Sequence, residues 1–186
     1  MKVHLRLDNS EDADPASRAP LGDMLSAADG VLSAALEKLA RPGTLPPAAE
    51  ISVTLLSLEE MEEQNRLHRG LPEPTDVLSF PLWEEDGEFR PEKGMPVLPL
   101  GDIVICPDYV RKNTPTEQAF LEEMALMIAH GFLHLLAWDH DTDERRTAME
   151  AAQETIRRAL LDAAAESGKG GEIGRASCRE RVCSVV

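Results

Sequence analysis

The sequence contains no run of about 18 consecutive apolar residues, the length that a membrane-spanning helix requires. We therefore expect no membrane span and no membrane partner. The N-terminal segment, residues 1–8, also lacks the long apolar centre of a secretory signal peptide. These two absences predict a cytoplasmic protein.

Cysteine is scarce as well, with three in 186 residues. The last two lie in a C-terminal segment that follows a glycine-rich break and lacks hydrophobic periodicity. Residues 172–182 of this segment resemble the in-frame translation of a sequencing-library adapter, so we expect the domain to span 1–168 and a disordered or adapter-derived tail to span 169–186. Only Cys106 then remains, and neither a disulfide nor a cysteine-based metal site is predicted.

Basic residues are few, because 19 Lys and Arg against 34 Asp and Glu give a formal net charge of −15 at pH 7. From residue 172 onward the chain carries three arginines and two glutamates, so the part before it has a formal charge of −16. Such a body lacks the overall electrostatic signature of a nucleic-acid-binding protein. Any contact with nucleic acid must then come from a local basic patch or depend on a partner protein.

Hydrophobic periodicity predicts alternating strands and helices in one domain of ordinary size. The expected strands are 3–7, 51–56, 75–81 and 98–106, and the expected helices are 21–39, 57–68, 114–134 and 143–165. The polar segments 9–20 and 83–96 are predicted to be loops. Capping patterns mark three helix starts, at Ser57 with Glu60, at Thr114 with Pro115 and Glu117, and at Asp141 with Glu144. This order predicts a single α+β domain with a small mixed β-sheet packed with helices.

Three of the five histidines fall within eleven residues, at His130, His134 and His140. The first two are one helical turn apart on the same face, and the third follows after the helix has had room to end. Three imidazoles in this arrangement can occupy three corners of a tetrahedron and leave the fourth open, as in catalytic zinc sites. Because burying them in apolar surroundings without a shared partner is costly, we expect one metal ion per chain. An all-imidazole site favours Zn²⁺.

The histidine spacing also matches that of the metzincin metallopeptidases. Those enzymes carry a glutamate directly after the first histidine as the general base, whereas this chain has Gly131 there. They also carry a glycine before the third histidine, where this chain has Ala137, whose φ is more restricted. The missing base argues against peptidase chemistry.

Three ordered blocks of the chain carry a further pattern. They are Asn65-Arg66-x-x-Arg69 with Pro74-Thr75-Asp76-Val77-Leu78-Ser79-Phe80-Pro81, then Leu100-Gly101-Asp102-Ile103-Val104-Ile105, then His130-Gly131-x-Leu133-His134-Leu135-x-x-x-Asp139-His140. Together they resemble the signature of the YbeY family of bacterial metal-dependent endoribonucleases. The chain departs from that signature at Ala137, where the family has glycine, and at Trp138, where it has tyrosine. An alanine can make this turn if its φ is negative.

The resemblance implies a zinc-dependent endoribonuclease that cleaves single-stranded RNA, in 3′-end maturation of 16S rRNA and in ribosome quality control. Its implied partners are the 16S rRNA precursor and the ribosome or ribosome-associated proteins, with no DNA. The implied metal ligands are His130, His134 and His140. Arg69 matches the family's functional arginine, and a guanidinium suits bidentate phosphate binding; its alternative role is a surface salt bridge.

Several questions stay open at this stage. Asp139 could orient a histidine or cap the turn before His140, while Asp76 and Asp102 are expected to be structural. The nucleophile could be a water activated by the metal or a ribose 2′-hydroxyl.

Two other functions are a metal-dependent hydrolase of another substrate, including a peptidase, and a non-catalytic ribosome-associated factor with a structural metal. The acidic body favours a protein partner and so supports the last of these.

Overall fold

A computed structural model describes residues 2–9, 12–39 and 46–176. Within these residues the strands are β1 (Lys2–Asn9), β2 (Ala48–Leu55), β3 (Val77–Pro81), β4 (Glu84–Glu85), β5 (Glu88–Phe89) and β6 (Val97–Ile105). The helices are α1 (Pro15–Arg18), α2 (Gly22–Leu39), α3 (Leu58–Arg69), α4 (Pro107–Asn113), α5 (Glu117–Leu135) and α6 (Asp143–Ala176). The predicted α+β class is confirmed. None of these helices is long and apolar enough to cross a bilayer.

Four strands form a mixed sheet in the order β1-β2-β6-β3. β1, β2 and β6 run parallel, while β3 runs antiparallel to β6 and forms one edge. A bulge shifts the register between β2 and β6 next to Gly101, whose φ is 139°, a conformation that suits glycine. The predicted small mixed sheet is therefore confirmed, and Asp102 directly follows the bulge.

Helix α5 lies at the centre of the core. Ten of its nineteen residues are buried, more than the single apolar face of a surface helix contains. The number is high because the sheet packs on one side of α5 and α6 packs on another. Phe120 and Phe132 are fully buried, and burying a side chain of this size stabilises by about 1.5–3 kcal/mol. The helix thus contributes to the core on more than one of its sides.

The close approach of α5 to the sheet occurs at Gly131. A Cβ at this position would lie 2.8 Å from Ile103 Cγ2 and 3.1 Å from Ser79 Oγ. Ile103 is itself fully buried on β6 and has little room to move. Position 131 therefore faces the sheet, and the absence of a side chain there lets the helix backbone approach the sheet.

The opposite face of the sheet carries a smaller apolar cluster that includes Met61 of α3 and Leu78 of β3. The predicted capping box of α3 is present, since Ser57 Oγ accepts from the Glu60 N–H at 3.3 Å and the Glu60 carboxylate accepts from the Ser57 N–H at 2.9 Å. α3 ends at Arg69, one residue beyond the predicted end. The helix thereby brings its last turn to the edge of the sheet that β3 forms.

The predicted start of α5 is wrong by two residues. The hydroxyl of Thr114 donates to the Val110 carbonyl at 3.0 Å and closes α4 instead of opening α5. The cap of α5 is Thr116, whose Oγ1 accepts from the Ala119 N–H at 3.1 Å. Two threonines two residues apart compete for the role, and the spacing alone does not rank them.

α6 begins at Asp143 as predicted, but its cap and its end differ from those predicted. Thr142 Oγ1 accepts from the Arg145 N–H at 3.2 Å, while Asp141 pairs with the side chain of Arg145. α6 continues past the predicted end near 165 to Ala176, and so crosses the boundary expected at 168. Residues 177–186 lie outside the described residues, and the extent of the tail stays a prediction.

Two segments predicted to be loops contain ordered elements. In 9–20, Asp14 caps α1 by accepting a backbone N–H at 2.9 Å, and α1 continues through a 3₁₀ turn into α2. In 83–96, Asp86 (φ 54°) and Gly87 (φ 73°) connect β4 to β5, the conformation of a type I′ turn, for which Asp-Gly is a favoured sequence. α4 was not predicted, because seven residues are too few for periodicity to mark a helix.

Replacing Gly131 by alanine is expected to destabilise the fold by about 1–3 kcal/mol, because the added methyl group overpacks the contact with Ile103. The measurement is the free energy of unfolding from a denaturant titration. Gly30→Ala in α2 is the matched control, since a Cβ there meets no atom within 4 Å and the exchange removes a glycine from a helix interior. Equal effects of the two substitutions would contradict the close packing at Gly131.

Candidate metal centre

The three predicted histidines lie together in the structure. His130 Nε2 and His134 Nε2 are 3.0 Å apart. The ring centroid of His140 lies 5.9 Å from that of His130 and 5.5 Å from that of His134. One ring nitrogen of each histidine lies within 4.8 Å of those of the other two, so the three rings are close enough to share one ion.

The turn that follows α5 brings His140 back to the helix. The Ala137 N–H donates to the His134 carbonyl at 2.9 Å, and the Trp138 N–H donates to the Leu133 carbonyl at 3.1 Å. These two bonds define a Schellman motif, whose central residue adopts the left-handed conformation. Ala137 has a φ of 58°, so this alanine makes the turn without the negative φ that was taken as the condition for it. A residue with a Cβ is strained by about 1–2 kcal/mol in this conformation.

Ala137→Gly is expected to stabilise the protein by about 1 kcal/mol, because glycine adopts a positive φ without the Cβ strain. The free energy of unfolding, measured with and without added zinc, checks this. Ala151→Gly on the exposed side of α6 is the control and should destabilise by about 1 kcal/mol. A destabilising effect at both positions would show that the left-handed turn is not strained.

The environment of His134 keeps its ring neutral. Burial is the largest cause that lowers the pKa of His134 from 6.5 to about 4, and the charges of His130 and His140 lower it further. The charge of Asp139 and a hydrogen bond with the backbone of Trp138 act in the opposite direction and raise the pKa of His134. At neutral pH this imidazole therefore has a lone pair available for a metal ion.

The lowered pKa of His134 makes the stability of the metal-free protein depend on pH. Between about pH 6.5 and 4 the unfolded chain binds a proton at His134 that the folded chain does not bind, so stability falls as the pH falls through this range. With a chelator present, we expect the thermal midpoint of His134→Asn to fall less steeply across this range than that of the wild type. His4→Asn on β1 serves as the control, and identical slopes for the wild type and His134→Asn would contradict the shift.

His130 and His134 line a cleft of about 240 Å³. Its walls include Arg69 from α3, Ser79 from β3 and Glu84 from the β4–β5 hairpin, together with Trp138 from the turn after α5. The cleft lies along β3, which is an edge strand of the sheet. Residues of α3, on one face of the sheet, and of α5, on the other face, therefore meet in the cleft at the edge that β3 forms.

Arg69 is an exposed cation in this cleft. Gly70, with a φ of 73°, ends α3 directly after it. Arg69 forms no hydrogen bond or ion pair with the residues that the structure describes, whereas Arg66 one turn earlier donates to Glu63 at 2.6 and 2.8 Å. The surface salt bridge considered as the alternative for Arg69 is thus not formed within 2–9, 12–39 and 46–176, and its guanidinium is free to bind an anion.

The acidic residues singled out in the sequence have mainly local partners. Asp139 Oδ1 accepts from the His140 N–H at 2.7 Å and lies 3.8 Å from His140 Nδ1, so it caps the turn and makes no hydrogen bond with the ring. Asp76 Oδ1 accepts from the Val77 N–H at 2.8 Å, the structural role expected. Asp102 follows the bulge and its side chain is exposed.

Two further residues near the histidines were not predicted. Gln153 of α6 is 2.9 Å from His130 Nδ1 through its Oε1, and Glu84 lines the cleft. The Asp86-Gly87 pair is a hairpin signal that locates Glu84 on an ordered element. No local pattern points to Gln153, because it lies 23 residues from His130 and only the packing of α6 on α5 brings it there.

The fold and the donor set together define an α+β protein with a candidate three-histidine metal centre in an open cleft. The family model described as Endoribonuclease YbeY matches residues 16–161. Relatives with the same name include one from Moorella thermoacetica, 41% identical over 80% of this chain and 92% of its own length, and one from Shouchella clausii, 43% identical over 65% of this chain and 78% of its own. The chain belongs to the YbeY endoribonuclease family.

A solved structure has the same fold. A solution structure from Thermotoga maritima matches with a TM-score of 0.54 at 24% sequence identity, and the match covers 86% of this chain and 89% of that chain. This match supports the fold, while the family model and the relatives confirm the family and the enzyme class predicted from the three sequence blocks.

Proposed function

We propose that this protein is a zinc-dependent, single-strand-specific endoribonuclease that acts in 3′-end maturation of 16S rRNA and in ribosome quality control, in the cytoplasm. One observation carries the proposal: two members of a three-histidine cluster, His130 and His134, line the same cleft as the unpaired Arg69. A metal ion can activate the nucleophile or polarise a phosphoryl oxygen, and a guanidinium can bind the phosphate, so the two together suit phosphodiester cleavage. Membership of the YbeY family supports RNA as the substrate.

The donor set fits zinc. In a tetrahedral site with Zn–N bonds of about 2.0–2.1 Å, two ligand nitrogens are about 3.3 Å apart, close to the 3.0 Å between His130 Nε2 and His134 Nε2. Three imidazole nitrogens with no cysteine suit Zn²⁺, and three protein ligands leave one position open. His130, His134 and His140 are therefore the residues that would hold the ion. When bound, zinc supplies Lewis acidity toward a phosphoryl oxygen or a water.

Arg69 is the residue proposed to bind the scissile phosphate. A guanidinium presents planar N–H groups that match two phosphate oxygens at once, and it stays charged at any working pH. Arg69 reaches the cleft from α3, on the other side of β3 from the histidines of α5. A phosphate bound in the cleft would thus lie between Arg69 on one side and the histidines on the other. Arg69 would neutralise the negative charge that grows in the transition state.

The products distinguish two nucleophiles. Attack by the neighbouring ribose 2′-hydroxyl forms a 2′,3′-cyclic phosphate and expels the 5′-oxygen, whereas attack by water leaves a linear phosphate. Glu84 is a carboxylate in the cleft that can take a proton from either nucleophile. Mass analysis of the cleaved ends, with and without a deoxyribose at the scissile position, separates the two routes.

The charge of the protein supports a protein partner in this function. A formal charge of −15 repels RNA at long range, so we propose that the ribosome or a ribosome-associated protein presents the rRNA precursor to the cleft. DNA and membranes have no part in the proposal. A peptidase is disfavoured because the chain has Gly131 where the metzincins have their general base, and a Cβ at this position would already lie 2.8 Å from Ile103 Cγ2.

The decisive test separates metal binding from cleavage. We expect His134→Ala to lose zinc and to lose cleavage of single-stranded RNA, while Arg69→Ala keeps zinc and loses cleavage by about 100-fold or more, since one transition-state contact of this kind is worth about 2.7–4 kcal/mol. Arg66→Ala is the matched control, because Arg66 lies on the same helix but is paired with Glu63. The measurements are zinc content by elemental analysis and initial rates on a labelled RNA.

Two outcomes would contradict the proposed function. Cleavage that survives both chelation and His134→Ala would remove the metal from the reaction. If the zinc-loaded protein binds ribosomes and Arg69→Ala leaves rRNA processing unchanged, the chain acts as a non-catalytic factor whose metal stabilises the fold.

A further inference from the structure

We propose that Gln153 is a positioning residue that sets the tautomer and orientation of His130 and thereby the metal affinity of the site. Its Oε1 is 2.9 Å from His130 Nδ1, and the other ring nitrogen, Nε2, is 3.0 Å from His134 Nε2. The imidazole is therefore contacted at both nitrogens, by an amide on one side and by the cluster on the other. This inference rests on the proposed metal centre and adds a residue from α6 to it.

The chemistry follows from the single N–H of a neutral imidazole. A metal ligand needs its lone pair at the nitrogen that faces the ion, so the proton must be on the other nitrogen. If Gln153 accepts through Oε1, it binds the proton at Nδ1 and leaves Nε2 free for the metal. Acceptors on the far nitrogen of metal-bound histidines are general features of such sites and also fix the ring plane.

A glutamine can also be oriented to do the opposite. Its NH₂ group, if turned toward Nδ1, would donate and force the proton onto Nε2, where it would block the metal. The amide therefore makes His130 sensitive to which group faces the ring. A glutamate at the same position only accepts when ionised, and a leucine of similar size does neither.

The packing of α6 explains why Gln153 can hold His130 in place. Met149 and Ile156 lie one turn before and after it and are buried in the core. Arg157 of α6 hydrogen-bonds Glu154 and lies 3.9 Å from Glu122 of α5. These contacts fix α6 against α5, so the half-buried amide has one well-defined position beside the ring.

In the part of the chain that the structure describes, the other two histidines have no side-chain partner of this kind, and His134 has only a hydrogen bond with the backbone of Trp138. Among the described residues, no side chain makes a hydrogen bond to the far nitrogen of His134, and the nearest carboxylate to His140 Nδ1, that of Asp139, is 3.8 Å away. His130 is thus the ligand whose ring is held by a second helix. α6 contributes to the site without supplying a ligand.

Zinc affinity of the full-length protein tests this role. We expect Gln153→Leu to weaken zinc binding by about 10–100-fold, the usual effect of removing such a partner, while Gln153→Glu binds at least as tightly as the wild type. The dissociation constants come from competition with a calibrated chelator at one fixed pH. Gln118→Leu is the matched control, since Gln118 makes its hydrogen bond to Glu122 on the exposed side of α5.

Folding is measured separately so that a structural role can be recognised. The free energy of unfolding of each metal-free variant reports whether Gln153→Leu loosens α6. In addition, ¹⁵N NMR of the metal-free wild type should show the His130 proton on Nδ1. Wild-type affinity in a folded Gln153→Leu, equal weakening by Leu and Glu, or a proton on Nε2 would each overturn the inference.

Failure of the proposed function gives a different result. If the wild type binds no zinc, the metal centre itself is wrong and the role of Gln153 falls with it. If zinc binds, the Gln153 variants change its affinity as expected, and RNA is not cleaved, the positioning role stands and the ribonuclease proposal fails.

Discussion

The packing of α5 between the sheet and α6 is the constraint on which the candidate site depends. Gly131 lets the helix backbone approach Ile103 and fixes the rotation of α5 about its axis. Once this rotation is fixed, His130 and His134 must face the open edge at β3, because they lie one turn apart on another side of the helix. The same rotation directs position 131 into the core, so a glutamate there would be buried against the sheet. The packing and the absence of a peptidase-type base thus have one cause.

The third histidine depends on a local turn instead of on the core. The Schellman motif after α5 requires a left-handed residue, and this chain uses Ala137 there, at a cost of about 1–2 kcal/mol. The two hydrogen bonds of the motif hold the turn, and Asp139 caps the chain before His140. Strain of this kind persists only where the surroundings over-determine the conformation, and it is common at functional sites. A metal bound to His140 would add one more restraint on the same turn.

The sequence predicted the parts of the structure that follow from short-range patterns. The pair His130 and His134 and the capping box of Ser57 were found because their residues are spaced by about one helical turn. Errors arose where two local patterns competed, as for Thr114 and Thr116, or where a residue's φ decided the outcome, as for Ala137. Gln153 was missed for a different reason, since its contact with His130 exists only after α5 and α6 have packed. Long-range contacts of this kind carry no local signal in one sequence.

The electrostatics of the cleft limit how this protein can select RNA. The cleft has Arg69 as a cation, but Glu84 and Asp139 also line it, and the chain as a whole is strongly acidic. Counterion release from many phosphate contacts, which supplies most non-specific nucleic-acid affinity, is therefore small here. In the proposed function, weak intrinsic affinity would protect bulk RNA from cleavage, and a partner that holds the substrate nearby would raise its effective concentration without new contacts in the cleft. In the proposed function, selectivity thus comes from presentation by the partner, and the cleft itself needs only to orient one phosphate between Arg69 and the histidines.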